Sequence, residues 1–284
     1  MTAPLDVSVV IPTIGRPELV RACLASLARC LPGAAEALIV DSSADDAVRE
    51  VVATFPTARS IRCGPGLGAA FNLGLREASH DIVLLTNDDC TLDEAWVATG
   101  RDRLLDDPGT IVTGRVRPAG DPDVVPSTID DAERREHVRP NFVLFTQCMA
   151  LDRRQVLAFG GFDERIRHGA DDNDLSYRWL RAGRRIRYEP DFVAWHHDWR
   201  TPEELDRLYV TYGLGQGMVY GKFLRARDPY ILRFVARDAY AIARGLVDRV
   251  VRGRRPYGDW RLGLAHGLPV GMVRGWRAFG GSNR

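Results

Sequence analysis

Asn87-Asp88-Asp89 sets an amide and two carboxylates directly after the apolar run Ile82-Val83-Leu84-Leu85. Clustered hard oxygens suit Mg²⁺ or Mn²⁺ better than they suit a hydrophobic core, and the carboxyl end of a buried strand is where an α/β protein opens its ligand crevice. The chemistry to expect is a divalent metal holding a nucleotide-linked substrate. A solvated turn is the alternative, because Asp93 precedes Glu94-Ala95-Trp96-Val97 as a helix N-cap would. A second acidic group, Asp171-Asp172-Asn173-Asp174, opens a helical pattern through Leu175, Trp179 and Leu180 that stops at Gly183. Asp at a helix start gains about 0.3–1 kcal/mol from the dipole, but four polar residues exceed what one cap requires.

These groups need a scaffold, and the pattern supplies one. Val7 to Pro12 reads as a buried strand, Thr13 to Pro17 as a loop, and Glu18 to Cys30 as a helix with Leu19, Val20, Cys23, Leu24 and Leu27 at helical spacing. A second unit runs from Ala37-Leu38-Ile39-Val40 through Asp41-Ser42-Ser43 into a helix over about 45–55. A third has Ser60-Ile61-Arg62, the turn Gly64 to Gly68 and a helix through Ala78, and the fourth strand is Asp81 to Leu85. Such alternation implies a largely parallel sheet with helices on its faces, so Thr13, Asp41, Gly66 and Asp89 converge on one rim. Pro118 to Arg139 is polar and Pro-rich, a loop; Phe142 to Ala150 reads as a further strand. Arg185 to Tyr188 and Phe192 to Trp195 read as two short strands, the second ending at His196-His197-Asp198.

A chain of 284 residues, 45% hydrophobic and 27% charged, can bury a full core, which excludes disordered and fibrous classes. The five cysteines are odd in number and lack a C-x-x-C pair, so reduced thiols and a cytoplasmic setting are expected instead of zinc or disulfides. Neither a signal peptide nor a spanning segment is expected from the Met1–Asp6 start or the apolar runs. Charge is uneven: residues 201–284 hold 14 Arg and one Lys against seven Asp or Glu, +8 in a chain of net +1. In that tail Ile231, Val235, Ala239, Ile242, Leu246 and Val250 fall on one helical face, Arg233, Arg237, Arg244 and Asp248 on another, and Arg252, Arg254 and Arg255 follow. The pattern fits either peripheral contact with an anionic membrane or packing on the catalytic domain. No nucleic-acid partner is expected.

Gly64-Pro65-Gly66-Leu67-Gly68 is not a dinucleotide fingerprint, which needs G-x-G-x-x-G after the first strand, and no P-loop is present. The ordered set of motifs resembles family 2 glycosyltransferases of the GT-A fold over residues 5–200. It comprises Val9-Val10-Ile11-Pro12-Thr13 with Arg16, Val40-Asp41-Ser42-Ser43, Gly64 through Asn72-Leu73-Gly74, and Asn87-Asp88-Asp89. It continues with Gly160-Gly161-Phe162-Asp163, Asp171 to Leu175 with Arg178-Trp179, and His196.

The resemblance implies a three-layer α/β/α fold with a mostly parallel central sheet, a nucleotide half over about 1–117, an acceptor half over about 118–200, and a helical tail over 201–284. It implies inverting transfer of a sugar from a UDP-, dTDP- or GDP-linked donor to a hydroxyl, with Mn²⁺ or Mg²⁺. Pro12, Thr13, Arg16, Asp41 and Ser43 would form the nucleotide pocket, and Gly66 and Asn72 the donor's diphosphate side. Asn87-Asp88-Asp89 is similar to the D-x-D metal signature, with Asp89 as metal ligand and Asn87 in place of the first Asp, able to accept a ribose hydroxyl but adding no charge. His196 resembles the ligand that closes the metal site, with His197 as the alternative and a plain core or surface histidine as the bland reading of either. Asp172 stands where the family has its general base and Asp171 beside it, since paired carboxylates let one rise in pKa while the other stays ionised. Arg178 would support them at Asp172 or Asp174, and Trp179 and Trp195 form an acceptor platform or core. Rival readings are a sugar-1-phosphate nucleotidyltransferase, poorly matched by Pro12 to Arg16, and a noncatalytic glycan-binding relative.

Overall fold

Val7, Val9 and Ile11 alternate with Ser8 and Val10 along the first strand, and all five are fully buried, the pattern of a strand covered on two faces. In the computed structural model, which describes residues 4–120, 131–167, 169–197, 200–252 and 260–280, that strand is β1, Leu5–Thr13. After it come α1 Pro17–Leu27, β2 Ala34–Asp41, α2 Ala47–Val52, β3 Ala58–Arg62, α3 Leu67–Glu77 and β4 Ile82–Leu85. The chain continues through β5 Cys90–Leu92, α4 Trp96–Asp106, β6 Ile111–Pro118, β7 Arg135–His137, β8 Met149–Asp152, α5 Arg153–Ala158, α6 Asp171–Arg181 and β9 Ile186–His196. The helices α7 Pro202–Arg225, α8 Leu232–Arg252 and α9 Trp260–Ala278 follow. The chain divides into two units, Met1–Asp163 with Asp174–Trp199 and Glu164–Asn173 with Arg200–Arg284.

The first unit is a sheet in the order β3-β2-β1-β4-β8-β6-β9-β5, with β7 on β9. Its first four strands are parallel, as the alternation requires. Beyond β4 the sheet is mixed: β8 runs antiparallel to β4 and β6, while β6 and β9 are parallel. One face packs Val9, Ile11 and Ile39 against Val20 and Leu24 of α1, Val48 of α2 and Trp96 of α4. The other packs Val10, Leu38 and Val40 against Phe71 of α3, Val156 of α5 and Leu175 and Trp179 of α6. Each such fully buried aliphatic or aromatic side chain is worth about 1.5–3 kcal/mol. At the amino end of these strands Glu36, only 7% exposed, accepts from Ser8 Oγ at 2.5 Å, Ser79 N at 2.9 Å and Arg59 Nε at 2.8 Å.

The stretch Pro118–Arg139, read as a loop, contains strand β7, which pairs with β9, and two strand boundaries also depart from the sequence reading. Only Met149 and Ala150 of Phe142–Ala150 lie in a strand, β8; the preceding apolar residues pack as irregular chain, with Val143 N donating to Ser176 Oγ of α6 at 3.1 Å and Leu144 fully buried. The two short strands expected over 185–195 are one, β9, whose register on β6 jumps from Gly114↔Glu189 to Arg115↔Val193. Glu189, in the gap between the two expected strands, is buried, held by Arg103 at 2.8 Å and Arg134 at 2.9 Å.

The second unit is helical. α7 carries Gly213, Gly217 and Gly221, and α9 carries Gly263, Gly267, Gly271 and Gly275. A Cβ on Gly217 would lie 2.3 Å from Leu268 O, and one on Gly271 2.2 Å from Leu214 O, so the two backbones touch without side chains between them. The buried side of α8 is Phe234, Asp238 and Gly245, with Asp238 accepting from Tyr220 Oη at 2.6 Å. It is therefore offset from the predicted apolar face, of which Ile231 is buried but Leu246 and Val250 are 46% and 83% exposed. No helix among the described residues is long and apolar enough to cross a membrane. Residues 121–130, Asp198, Arg254 and Arg255, which entered the sequence reading, lie outside the described residues.

Candidate active site

Parallel pairing of β1 and β2 puts Thr13 opposite Asp41, and the chain leaves both strands at the same edge. Ser42 N donates to Thr13 O at 3.0 Å. A Cβ on Gly15, whose φ is 95°, would come within 2.9 Å of the Ser43 Cβ, so the loops after β1 and β2 are in contact. Asp41, 1% exposed, accepts from Ser43 N at 2.9 Å and pairs with Arg62 of β3 at 3.0 Å. Arg62 also donates to Ser43 O at 2.7 Å and to Asp46 at 2.8 Å. The sequence reading missed Arg62; its signal was a cation ending the strand beside Asp41.

The β4 end brings Asp88 and Asp89 to this rim. Thr13 Oγ1 donates to Asp88 Oδ2 at 2.6 Å, and Arg16 forks the same carboxylate, with Nε at 3.0 Å from Oδ2 and its Nη2 closing on Oδ1. Arg16 also reaches Asp89 at 3.4 Å. Burial pushes the Asp88 carboxyl up to about 6 against the pull of Arg16, with Asp89 adding repulsion. Asp88, Thr13 and Arg16 thus form one ion-paired cluster in which Arg16 is the counter-ion of the acidic pair. Below it, burial raises the thiols of Cys23 and Cys90 well above their ordinary range, so both stay neutral.

Antiparallel pairing of β5 with β9 places Cys90 opposite His196. His196 Nε2 lies 3.5 Å from Asp89 Oδ1, both side chains being 4% exposed. His197 takes another direction: its Nε2 meets Thr91 Oγ1 at 2.8 Å, while its main-chain N–H bonds Asp89 O at 2.8 Å. Burial and then the neighbouring His196 lower its pKa. Of the two histidines, His196 is the one whose ring faces the carboxylate. Asn87 Oδ1, Gln147 Oε1 and His196 Nδ1 are buried without a hydrogen-bond partner. Among the described residues no group of three or more His, Cys, Asp or Glu side chains could hold a metal alone. Asp89 and His196 offer one oxygen and one nitrogen, a set that fits an ion completed by substrate phosphates.

Other candidates have different surroundings. Asn72 is not open toward a diphosphate: its Nδ2 donates to Phe162 O and its Oδ1 accepts from Phe162 N, both at 2.9 Å. A Cβ on Gly161, at φ 61°, would sit 2.4 Å from that Oδ1, so the Gly160-Gly161 turn closes over the Asn72 amide. Gly66 is the N-cap of α3, and Pro12 is inside β1 opposite Val40. Arg178 bonds Asp174 at 2.7 Å and Gly161 O at 2.6 Å, so of the two partners expected it takes Asp174 and ties α6 to the same turn. Trp179 is 1% exposed and donates to Arg185 O at 3.0 Å, which makes it core and removes it as an acceptor platform. At the start of α6, Asp171 is 2% exposed; Asp172 is half-buried, its Oδ1 accepting from Asn173 N at 2.8 Å. Asn173 Nδ2 donates to Gln216 Oε1 at 2.8 Å.

Comparison with known proteins gives this geometry a context. Residues 8–158 match the family described as Glycosyl transferase family 2. The chain is similar to the pre-mycofactocin glycosyltransferase of Mycobacterium tuberculosis, 30% identical over 146 residues that cover 48% of this chain and 31% of that protein. It therefore spans about a third of the length of that relative. In fold it is similar to the mannosyltransferase PcManGT from Pyrobaculum calidifontis in complex with GDP-Man and Mn²⁺, at TM-score 0.64 and 20% identity over 96% of this chain and 88% of the other. It is also similar to S. aureus TarS 1-349 in complex with UDP-GlcNAc, at TM-score 0.57 and 15% identity over 78% and 72%. With the family match covering more than half of its length, the chain belongs to glycosyl transferase family 2 and has the GT-A fold.

Proposed function

We propose that this glycosyltransferase moves a sugar from a UDP-, dTDP- or GDP-linked donor to an acceptor hydroxyl, with inversion at the anomeric carbon. The observation that carries the reading is Asp89 facing His196 at 3.5 Å, beside an Asp88 that Thr13 and Arg16 already neutralise. Asp89 and His196 would hold Mn²⁺ or Mg²⁺, which when bound offsets the charge building on the departing diphosphate. Asp41, fixed by Arg62 and the Ser43 N–H, is set to accept from the base or ribose, and the unpartnered Asn87 Oδ1 from a sugar or ribose hydroxyl. Fold relatives in complex with GDP-Man and Mn²⁺ and with UDP-GlcNAc support a nucleotide sugar and a divalent ion as the ligand classes.

Asp172 acts as general base. Its carboxylate is accessible where that of Asp171 is buried, so Asp172 suits proton transfer and Asp171 a supporting role. The acceptor O–H gives its proton to Asp172 as the oxygen bonds the anomeric carbon. The bond from that carbon to the diphosphate oxygen breaks, and its electron pair leaves with the nucleoside diphosphate. A single displacement inverts the centre. The acceptor belongs to one of three classes: a lipid-linked saccharide, a polysaccharide or a small natural product. Asp172→Asn is expected to lower turnover by about 10² to 10⁴ while calorimetry with Mn²⁺ still registers donor binding. Unchanged turnover takes the base role away from Asp172.

A further inference from the structure

The helical unit contains an open cavity of about 730 Å³ whose lining includes Lys222, Arg225, Arg227, Trp276 and Phe279, and no carboxylate. Its cations are arranged on its rings: Arg225 stacks over Trp276 at 5.2 Å and Lys222 lies 5.1 Å from the centre of Phe279. The neighbouring Asp228 accepts from Tyr230 N at 3.0 Å. Arg227 holds a left-handed backbone, φ 58°, just past the end of α7 where glycine is the unstrained choice. An arginine is thus kept at a backbone cost where its side chain lines the cavity.

Trp276 belongs also to a second feature. With Val270 and Val273 it forms an outward row on α9, Val270 being 47%, Val273 52% and Trp276 46% exposed. The exposed Arg274 and Arg277 flank the row, and no Asp or Glu occurs anywhere from Trp260 to the last residue. Cations that match a phosphate, a tryptophan at the boundary and an uncharged apolar row beside them are the parts of an interfacial lipid contact. A soluble phosphate would use the cations alone and leave the row without an occupant.

We propose that this cavity binds the phosphate of an anionic phospholipid at a bilayer surface, with Val270, Val273 and Trp276 resting in the headgroup region. The site is independent of the reaction proposed above, so failure of either leaves the other standing. The test is co-sedimentation of the full chain with phosphatidylcholine vesicles, with and without phosphatidylglycerol, at low salt. Sedimentation only with the anionic vesicles is expected. Lys222→Gln, Arg225→Gln and Arg227→Gln together are expected to weaken partitioning on the order of a hundredfold, from the worth of each basic side chain near such a surface. Arg227→Gly separates binding from folding, because it relieves the left-handed backbone: it is expected to bind roughly fivefold less while melting no lower than the wild type. The lipid assignment is overturned if vesicles are ignored, whether or not inorganic phosphate raises the melting temperature, or if both vesicle types bind equally. Undiminished binding by the triple variant moves any membrane affinity elsewhere, for example to the exposed valines of α8, and removes the cavity from the role.

Discussion

The rim of the sheet unit and the α7–α9 pair of the helical unit fix their geometry by opposite means. At the rim, position comes from directional polar bonds: Asp88 is held by Thr13 and Arg16, Asp41 by Ser43 and Arg62, and the Phe162 backbone by Asn72. Between α7 and α9 it comes from the absence of side chains, with main chain lying against main chain at Gly217 and Gly271. The first arrangement presents acceptors and donors that a ligand can exchange for its own. The second presents nothing to exchange. Directional polar bonds thus hold the rim by groups that can be exchanged, whereas steric contact alone fixes the seam where main chain meets main chain.

Breaking the first kind of order should cost function most. Asp89→Ala is expected to lower metal-dependent turnover by roughly 10²–10³, the usual effect of losing one charge-stabilising group, with far-UV circular dichroism unchanged. An unaltered rate constant would leave the acidic pair without its role. Polar order without substrate is tested at Glu36. Burial alone would raise its carboxyl, but bonds from Ser79, Ser8 and Arg59 hold it down to about 2. A depressed native pKa stabilises above the unfolded value near 4.3 and is lost as pH falls toward 2. Glu36→Gln should therefore cost about 3 kcal/mol at pH 7, a gap that narrows steadily in urea melts taken below about pH 4.5. A gap independent of pH would refute this account.

The steric order is tested by Gly271→Ala, whose new methyl meets Leu214 O. A loss of about 1–3 kcal/mol is expected, and hydrogen exchange should accelerate in α7 and α9 but not in β1, β2 or β4. Uniform acceleration would show that the two regions are not distinct in this sense. The smallest effect belongs to Thr201, whose Oγ1 accepts from Glu204 N at 3.3 Å while Glu204 returns a bond to Thr201 N at 2.8 Å. Thr201→Ala should cost about 1 kcal/mol, seen as a small drop in melting temperature with turnover intact.

The parallel β1–β4 core was legible because buried strands and amphipathic helices alternate at distinct periods, and the strand ends follow from that. Pairwise partners were not legible, since no local pattern tells that Arg16 turns to Asp88 or that Asn72 clasps a peptide 90 positions away. Hydrophobicity misled at Phe142–Gln147, where burial comes from packing on α6 without a ladder, and at Glu189, where two arginines make a buried acid tolerable. Nor could the sequence tell the two histidines apart, since it is strand register, with Cys90 opposite His196, that brings the His196 ring to Asp89.

The spacing of four between glycines on α7 and α9 has a bearing on how these helices can change length. Inserting one residue rotates everything beyond it by about 100° and swings a side chain into the backbone seam, whereas lengthening before Tyr209 on α7 or after Trp276 on α9 does not disturb the match. Natural variation in this part of the chain is therefore expected to gather in the connections between helices and at their tips, and to spare the stretches where the two spines touch.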